Sequence, residues 1–437
     1  MRLEKVWFAC LALLTAWSAV LEIQAQTAGA RPNFRPVAIS PRIAAVKKRL
    51  ETGDRRVLDE FWQETERSGT PLIDPVKDHP REVTVTFVWR GKSGTQDVEV
   101  MAPLATKPGM PLYQLTRLLN TDLWYKCWQM RDDLRFTYRF SLNLNAGENG
   151  KPQDPTIDPL NSRKMKLWLN EKDPPGDISI ATMPRAEEPQ WITKDPNAPE
   201  GKVERHAFKS SILHNERGIS VYTPPGYNAN PKSEYRLLFL FDGFDYQHSV
   251  PTPTILDNLI KAGKLPPTVA VMIDNPREFR ISELEYNGAF VDFVGKEVLP
   301  WVHEHWNVTR DPRKSIVGGL SLGGSASAFV ALQRPDLFGN VISQSGSYWC
   351  CNDGELNWEW LSTAYRTSPK LPIRFFIEAG LLENISREGP TLLEANRRFV
   401  AILKRKGYAV TYEEVGGSHE PVHWRGELAD GLMALAN

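Results

Sequence analysis

Two hydrophobic periods divide this chain. From Arg81 the apolar residues recur at every second position, with Val83, Val85, Phe87 and Trp89 on one side and Thr84 and Thr86 between them. The alternation returns where Leu134, Phe136, Tyr138 and Phe140 interleave with Arg135, Thr137 and Arg139. A period of two predicts strands with one buried face. Turn residues such as those at 91–94 then predict an antiparallel β-sandwich, Ig-like in outline, over 81–183. Upstream, Val46, Leu50, Val57, Leu58, Phe61 and Trp62 stand at helical spacing among alternating charges. The segment 27–80 is therefore expected to be a helical leader, ended by the proline and aspartate cluster at 71–80. A stretch rich in Pro, Glu and Lys predicts a linker over 184–205.

Beyond 206 the pattern changes to compact apolar runs separated by amphipathic stretches. The runs at 237–241, 269–273, 315–317, 374–377 and 410–415 read as strands, and 290–303 and 392–406 as helices. Strand and helix alternating over some 230 residues predict an α/β domain with a central, mostly parallel sheet over 206–437.

The N-terminus changes the picture. Arg2 and Lys5 precede an apolar run from 6 to 21, and small residues follow at Ala25 and Ala28. This is the layout of a secretory signal peptide over 1–26, so the mature protein is expected to be periplasmic or secreted, with no membrane span after cleavage. Removal of the leader leaves Cys127, Cys350 and Cys351. A bridge from Cys127 to one of the adjacent pair is compatible with export, and three small buried hydrophobes are the plainer reading. No spacing suggests a metal site. The 53 basic residues balance 53 acidic ones, which argues against a nucleic-acid binder working by phosphate neutralisation. With 41% hydrophobic and 24% charged residues, the chain is an ordinary folded protein.

The chemistry centres on Gly319-Leu320-Ser321-Leu322-Gly323, which follows a short strand and precedes a small-residue helix with Ala326, Ala328 and Ala331. Glycines flank a serine in this way where a sharp strand-to-helix turn projects its hydroxyl above a sheet, the nucleophile elbow of α/β hydrolases. A hydroxyl needs a base, and in that fold the chain order is serine, acid, histidine. Two histidines follow Ser321. His419 lies in the loop after the strand ending at Val415, which favours it over His423. Three carboxylates follow the 374–377 strand. Glu383 stands where an orienting acid is expected, with Glu378 and Glu388 as alternatives. The oxyanion hole is assigned to the N–H groups of Leu322, just after the nucleophile, and Phe244, in the loop after an early strand. Asp242 is a further candidate acid, disfavoured because it precedes the serine.

These residues carry a resemblance. In the C-terminal part it rests on LFDGFD (240–245), RISELEYN (280–287), FVDFVGKEVLP (290–300), GGLSLGG (318–324), VISQSGSYW (341–349) and GGSHEPVHWRG (416–426). In the sandwich it rests on VTFVWRG (85–91), LNTDLWYKCWQMRDDLRFTYRF (119–140) and DPTIDPLN (154–161). Over about four-fifths of the mature chain the sequence resembles the enterochelin (enterobactin) esterases, an esterase branch of the α/β hydrolases with its own N-terminal domain. The resemblance implies a serine esterase that opens the tri-serine lactone of a catecholate siderophore, releases dihydroxybenzoyl-serine and helps to free iron. Ser321 and His419 would be nucleophile and base, and Glu383 falls in the family's Gly-x-x-Glu segment. No cofactor is expected, and any iron would arrive with the small-molecule substrate. Arg280 and Arg425 would suit an anionic substrate, with ion pairs to Glu283 or Glu427 as their alternative. Trp424 and Trp349 would suit an aromatic acyl group, with core packing as theirs. Two features depart from the family: Glu420 follows the histidine where aspartate is common, and a signal peptide precedes the chain. A secreted feruloyl or acetyl esterase with the sandwich as carbohydrate-binding module is the competing expectation, and a non-catalytic ligand-binding protein a more distant one.

Overall fold

The computed structural model describes residues 34–104, 113–143, 155–168, 173–229, 234–349, 359–384 and 389–436. The expected signal peptide, Cys350, Cys351 and Glu388 lie outside them. Among the described residues no helix is long and apolar enough to cross a membrane.

Two antiparallel sheets face each other in the N-terminal part. One runs in the order β1 (Phe34–Val37), β6 (Leu123–Arg131), β3 (Glu82–Arg90), β2 (Leu72–Pro75), with β5 (Thr116–Arg117) also on β6. The other runs β4 (Val98–Met101), β7 (Arg135–Leu142), β9 (Gly176–Thr182), β8 (Lys164–Leu167). Val83, Val85 and Phe87 turn inward to meet Trp128, Phe136, Tyr138 and Phe140. Phe87 meets Trp128 and Tyr138 edge-on, with ring centroids 5.6 and 4.8 Å apart.

The segment expected as a leader is part of this body. Its helices α1 (Pro41–Glu51) and α2 (Arg56–Ser68) lay Ile43, Val46, Leu50, Val57, Phe61 and Trp62 on the outer face of the first sheet. Thr84 and Thr86, the polar half of the alternation, are consequently buried as well. Ser40 caps α1 by accepting from the Ile43 N–H. The short strands β1 and β2 fall inside 27–80, each only four residues long and carrying a proline, which hides any period. Cys127 is a free, buried thiol against the Thr86 hydroxyl.

The C-terminal part is built on one eight-stranded sheet. Its order is β10 (Lys202–Lys209), β11 (Glu216–Thr223), β13 (Thr268–Ile273), β12 (Arg236–Leu240), β14 (Ser315–Leu320), β15 (Asn340–Gln344), β16 (Arg374–Gly380), β17 (Ala409–Val415). The pairs β10–β11 and β11–β13 are antiparallel and the rest parallel. Strand β10 starts at Lys202, inside the segment expected as linker. The start of that segment is held to the sandwich, where the Arg185 N–H donates to the Asp132 carbonyl at 2.7 Å, and its middle to the hydrolase-like body, where Asn258 Nδ2 donates to the carbonyls of Trp191 and Thr193.

Central strands alternate between two cores: Phe239, Val271, Val317, Val341 and Phe375 on one face, Leu238, Ala270, Ile316, Ile342 and Phe376 on the other. Helices α3 (Gly243–His248), α4 (Thr252–Lys261) and α5 (Arg277–Leu284) follow strands β12 and β13. Then come α6 (Gly288–Asp292), a π-helical stretch (Phe293–Val298) and α7 (Leu299–His305), which run end to end. Helices α8 (Leu322–Gln333), α9 (Trp360–Thr367), α10 (Leu392–Arg405) and α11 (Pro421–Ala434) complete the layers. The α/β-hydrolase architecture preceded by an antiparallel sandwich is as the sequence predicts.

Candidate active site

Ser321 sits between the last residue of β14 and the first of α8, with φ 58° and ψ −122°. That conformation is strained for a residue with a Cβ, at roughly 1–3 kcal/mol, and its surroundings hold it there. Its own N–H donates to the Gln344 carbonyl at 2.8 Å. The turn is so tight that a Cβ on Gly319 would lie 2.4 Å from the Gly323 carbonyl carbon. Glycine is required at 319 by close approach.

The His419 loop leaves β17 and enters α11. His419 Nε2 lies 2.8 Å from Ser321 Oγ, and Nδ1 lies 2.8 Å from Glu383 Oε1. With the Nδ1–H donating to the carboxylate, Nε2 keeps a lone pair for the serine proton. Glu383 is buried, and its second oxygen accepts the Gly380 N–H at 2.9 Å. Burial pushes its carboxyl up, but the hydrogen bond and charge of His419 outweigh it and hold the group below the ordinary carboxylate value. An ionised carboxylate in this place can orient the imidazole, and the serine hydroxyl lies within hydrogen-bond reach of its Nε2.

The other carboxylates have different partners. Glu378, on β16, faces His423 at 3.3 Å, both fully buried. Asp242 takes a bidentate grip from Arg280, at 2.6 and 2.8 Å. Arg280 thus pairs neither with Glu283 nor openly with solvent, and Glu283 instead accepts from Arg217 at 2.8 Å. The Arg280 pair ties α5 to the turn after β12, with Asp242 Oδ2 packed against Gly323.

Strand β12 is the parallel neighbour of β14, Leu240 opposite Gly318, so the turns carrying Phe244 and Ser321 leave the sheet at the same end. Phe244 and Leu322 both lie in the first turn of a helix, where backbone N–H groups have no intrahelical acceptor. Gly243 lets the first of these turns press on β13, since a Cβ there would be 2.5 Å from the Met272 carbonyl carbon.

Trp424 is built into the wall. Its ring stands edge-on to His419 at 5.0 Å, its Nε1–H donates to Ser345 Oγ, and its carbonyl accepts from Gln344. It supports the histidine and is buried, so it offers no open face to an acyl group. Trp349 is partly buried against the larger core. Arg425 lies on α11, and its own burial and then the charge of Arg135 lower its pKa. Among the described residues it shares no hydrogen bond with the serine, histidine and acid. Sequence reasoning missed Trp168, at the end of the sandwich strand β8, whose ring packs on His248 at 4.7 Å and meets Phe244 edge-on at 5.9 Å. It also missed Thr137, whose backbone N–H donates to Glu420 beside the histidine. Neither contact leaves a local signal, because the partners are 76 to 283 positions apart.

Residues 210–435 match the family described as "Putative esterase", and residues 84–214 match the enterochelin esterase N-terminal family. The chain is 28% identical over 380 residues to the iron(III) enterobactin esterase of Escherichia coli O6:H1, covering 80% of this chain and 90% of that one. It is 28% identical to the crystal structure of the enterobactin esterase of Shigella flexneri in the presence of enterobactin, at a TM-score of 0.69 over 86% of this chain and 97% of that one. The ferric enterobactin esterase structure from Salmonella typhimurium gives 26% identity, a TM-score of 0.70 and coverage of 86% and 98%. With both of its parts matched in order, the chain is an ester-hydrolysing enzyme that belongs to the enterochelin esterase family.

Proposed function

We propose that this protein is a serine esterase that hydrolyses the ester bonds of an enterobactin-like catecholate trilactone, outside the cytoplasm, through an acyl-enzyme. The observation that carries the chemistry is the continuous hydrogen-bonded line from Ser321 through His419 to Glu383, 2.8 Å at each step. Ser321 Oγ attacks the ester carbonyl as His419 Nε2 takes its proton, and Glu383 holds the resulting imidazolium in place. The N–H groups of Leu322 and Phe244 receive the oxyanion. His419 returns the proton to the departing serine alkoxide of the lactone, and water repeats the sequence on the acyl-enzyme. Support for the substrate comes from relatives described as iron(III) enterobactin esterases that match this chain across both parts. Support for export comes from the charged, apolar and small-residue order of residues 1–30.

The test incubates the purified protein with ferric and iron-free enterobactin, a feruloyl ester and a p-nitrophenyl ester, following products by chromatography with Ser321→Ala as control. Serine-dependent release of dihydroxybenzoyl-serine is the expected result. Cleavage of the feruloyl ester with enterobactin left intact would overturn the substrate and keep the mechanism. Mass measurement of the protein recovered from the periplasm or medium checks export, with loss of about the first 26 residues expected.

A further inference from the structure

The loop that carries His419 is held from the other domain. In the sandwich, β4 covers β7 only from the Met101–Arg139 pair onward, and among the described residues no strand lies beside the first half of that edge of β7. Two amides of this open edge, two residues apart, donate across the domain boundary. The Arg135 N–H donates to the Gly416 carbonyl at 2.6 Å, and the Thr137 N–H donates to Glu420 Oε1 at 3.0 Å. Gly416 and Glu420 bracket His419, so the histidine loop stands where a neighbouring strand would lie. The fit is close, since a Cβ on Gly416 would meet the Asp133 carbonyl oxygen.

Side chains reinforce the clamp. The Thr137 hydroxyl donates to Glu420 Oε2, and the Ser418 hydroxyl donates to Glu420 Oε1. The carboxylate of Glu420 therefore gathers one donor from Ser418, just before His419, and two from the sandwich. The loop of the acid is anchored in the same direction. Leu382, next to Glu383, is buried in the sandwich core with Phe136 and Ala181, and its N–H donates to the Gly417 carbonyl at 2.9 Å. Val422, at the start of α11, closes a small apolar cluster with Met165 and Ile178 of the sandwich.

We infer that the N-terminal sandwich is a positioning element of the active site, with Thr137 and Glu420 as positioning residues that hold the His419 loop on Ser321. The inference rests on reading Ser321, His419 and Glu383 as the catalytic groups. It assigns the sandwich an effect on turnover of any ester, including one too small to touch it. It also accounts for Glu420 in place of aspartate: the longer side chain spans the gap to β7.

The test uses the full chain and a p-nitrophenyl ester, with Thr137→Val, Thr137→Ser, Glu420→Ala and Glu420→Gln. Removing the Thr137 hydroxyl with Thr137→Val should lower kcat on the order of 10-fold while KM changes less than about 2-fold, and slow fluorophosphonate labelling of Ser321 by the same factor. Thr137→Ser, which keeps the hydroxyl, should restore both. Glu420→Ala should exceed Thr137→Val, and Glu420→Gln should fall between it and the parent. Circular dichroism melts establish that each variant is folded, and if Glu420→Ala does not fold, the two Thr137 variants decide alone. Parent-like kcat and labelling in folded Thr137→Val and Glu420→Gln would overturn the inference. So would a change confined to KM, which would make the sandwich a substrate-binding surface. Full activity in Ser321→Ala would instead overturn the reading of the catalytic groups.

Discussion

Glu378 and Glu383 stand five positions apart on one strand and the loop after it, and the histidine facing each decides its chemistry. Glu383 faces His419 and completes the line to Ser321. Glu378 faces His423 in a sealed pair. Ser321→Ala should lower kcat by at least about 10⁴-fold, and Glu383→Gln by roughly 10²- to 10⁴-fold, measured on enterobactin hydrolysis. Burial lowers the affinity of His423 for a proton, but the charge of the Glu378 carboxylate 3.3 Å away outweighs it, with Glu427 and Glu383 adding to it, and raises the pKa to about 9. A histidine raised above its unfolded value of about 6.5 stabilises the fold fully below that pH, and the contribution is lost as pH rises through about 9. Burial raises Glu427 to about 8, which acts in the same direction from lower pH. Thermal melts should therefore fall from pH 6.5 to 9, and His423→Asn should flatten that fall. Arg280→Ala would strand the buried Asp242 carboxylate and should cost about 3 kcal/mol in urea unfolding. Ser321, His419 and Glu383 were legible from motif and chain order. The Arg280–Asp242 pair was not, since the acidic neighbour expected to pair with the arginine, Glu283, points elsewhere.

At the scale of elements, the turn from β14 to α8 is tightly constrained. Gly319→Ala places a methyl into the Gly323 backbone, so the turn must open and carry Ser321 off its line to His419. Fluorophosphonate labelling should fall by more than about 100-fold, while circular dichroism retains the sheet signal. The parallel strands were readable as apolar runs because both faces are covered. The same double coverage misled the reading of β3. Its threonines suggested a solvated face, yet helices α1 and α2 lie over them. Strands β1 and β2 escaped notice because four residues with a proline carry no period, and their place is fixed by pairing with β6 and β3.

Across the whole molecule, the change of period near residue 206 marked two bodies, and the structure adds that they share hydrogen bonds at the His419 loop. That sharing was invisible in sequence because the clamp joins Thr137 to Glu420 across 283 positions. Leu382 gives it a mechanical meaning. One residue is a peg in the sandwich core and the next is hydrogen-bonded to the imidazole of His419, so under the proposed mechanism a separation of the two bodies would pull directly on that hydrogen bond. On that reading the enzyme should behave as a fuse. In a urea titration, hydrolysis of a small ester should vanish at the first structural transition seen by tryptophan fluorescence, whichever body melts there, while much of the far-ultraviolet signal persists. A chain whose halves fold but do not seat against each other would be inert, and catalytic turnover would then report docking more sensitively than any spectrum of secondary structure.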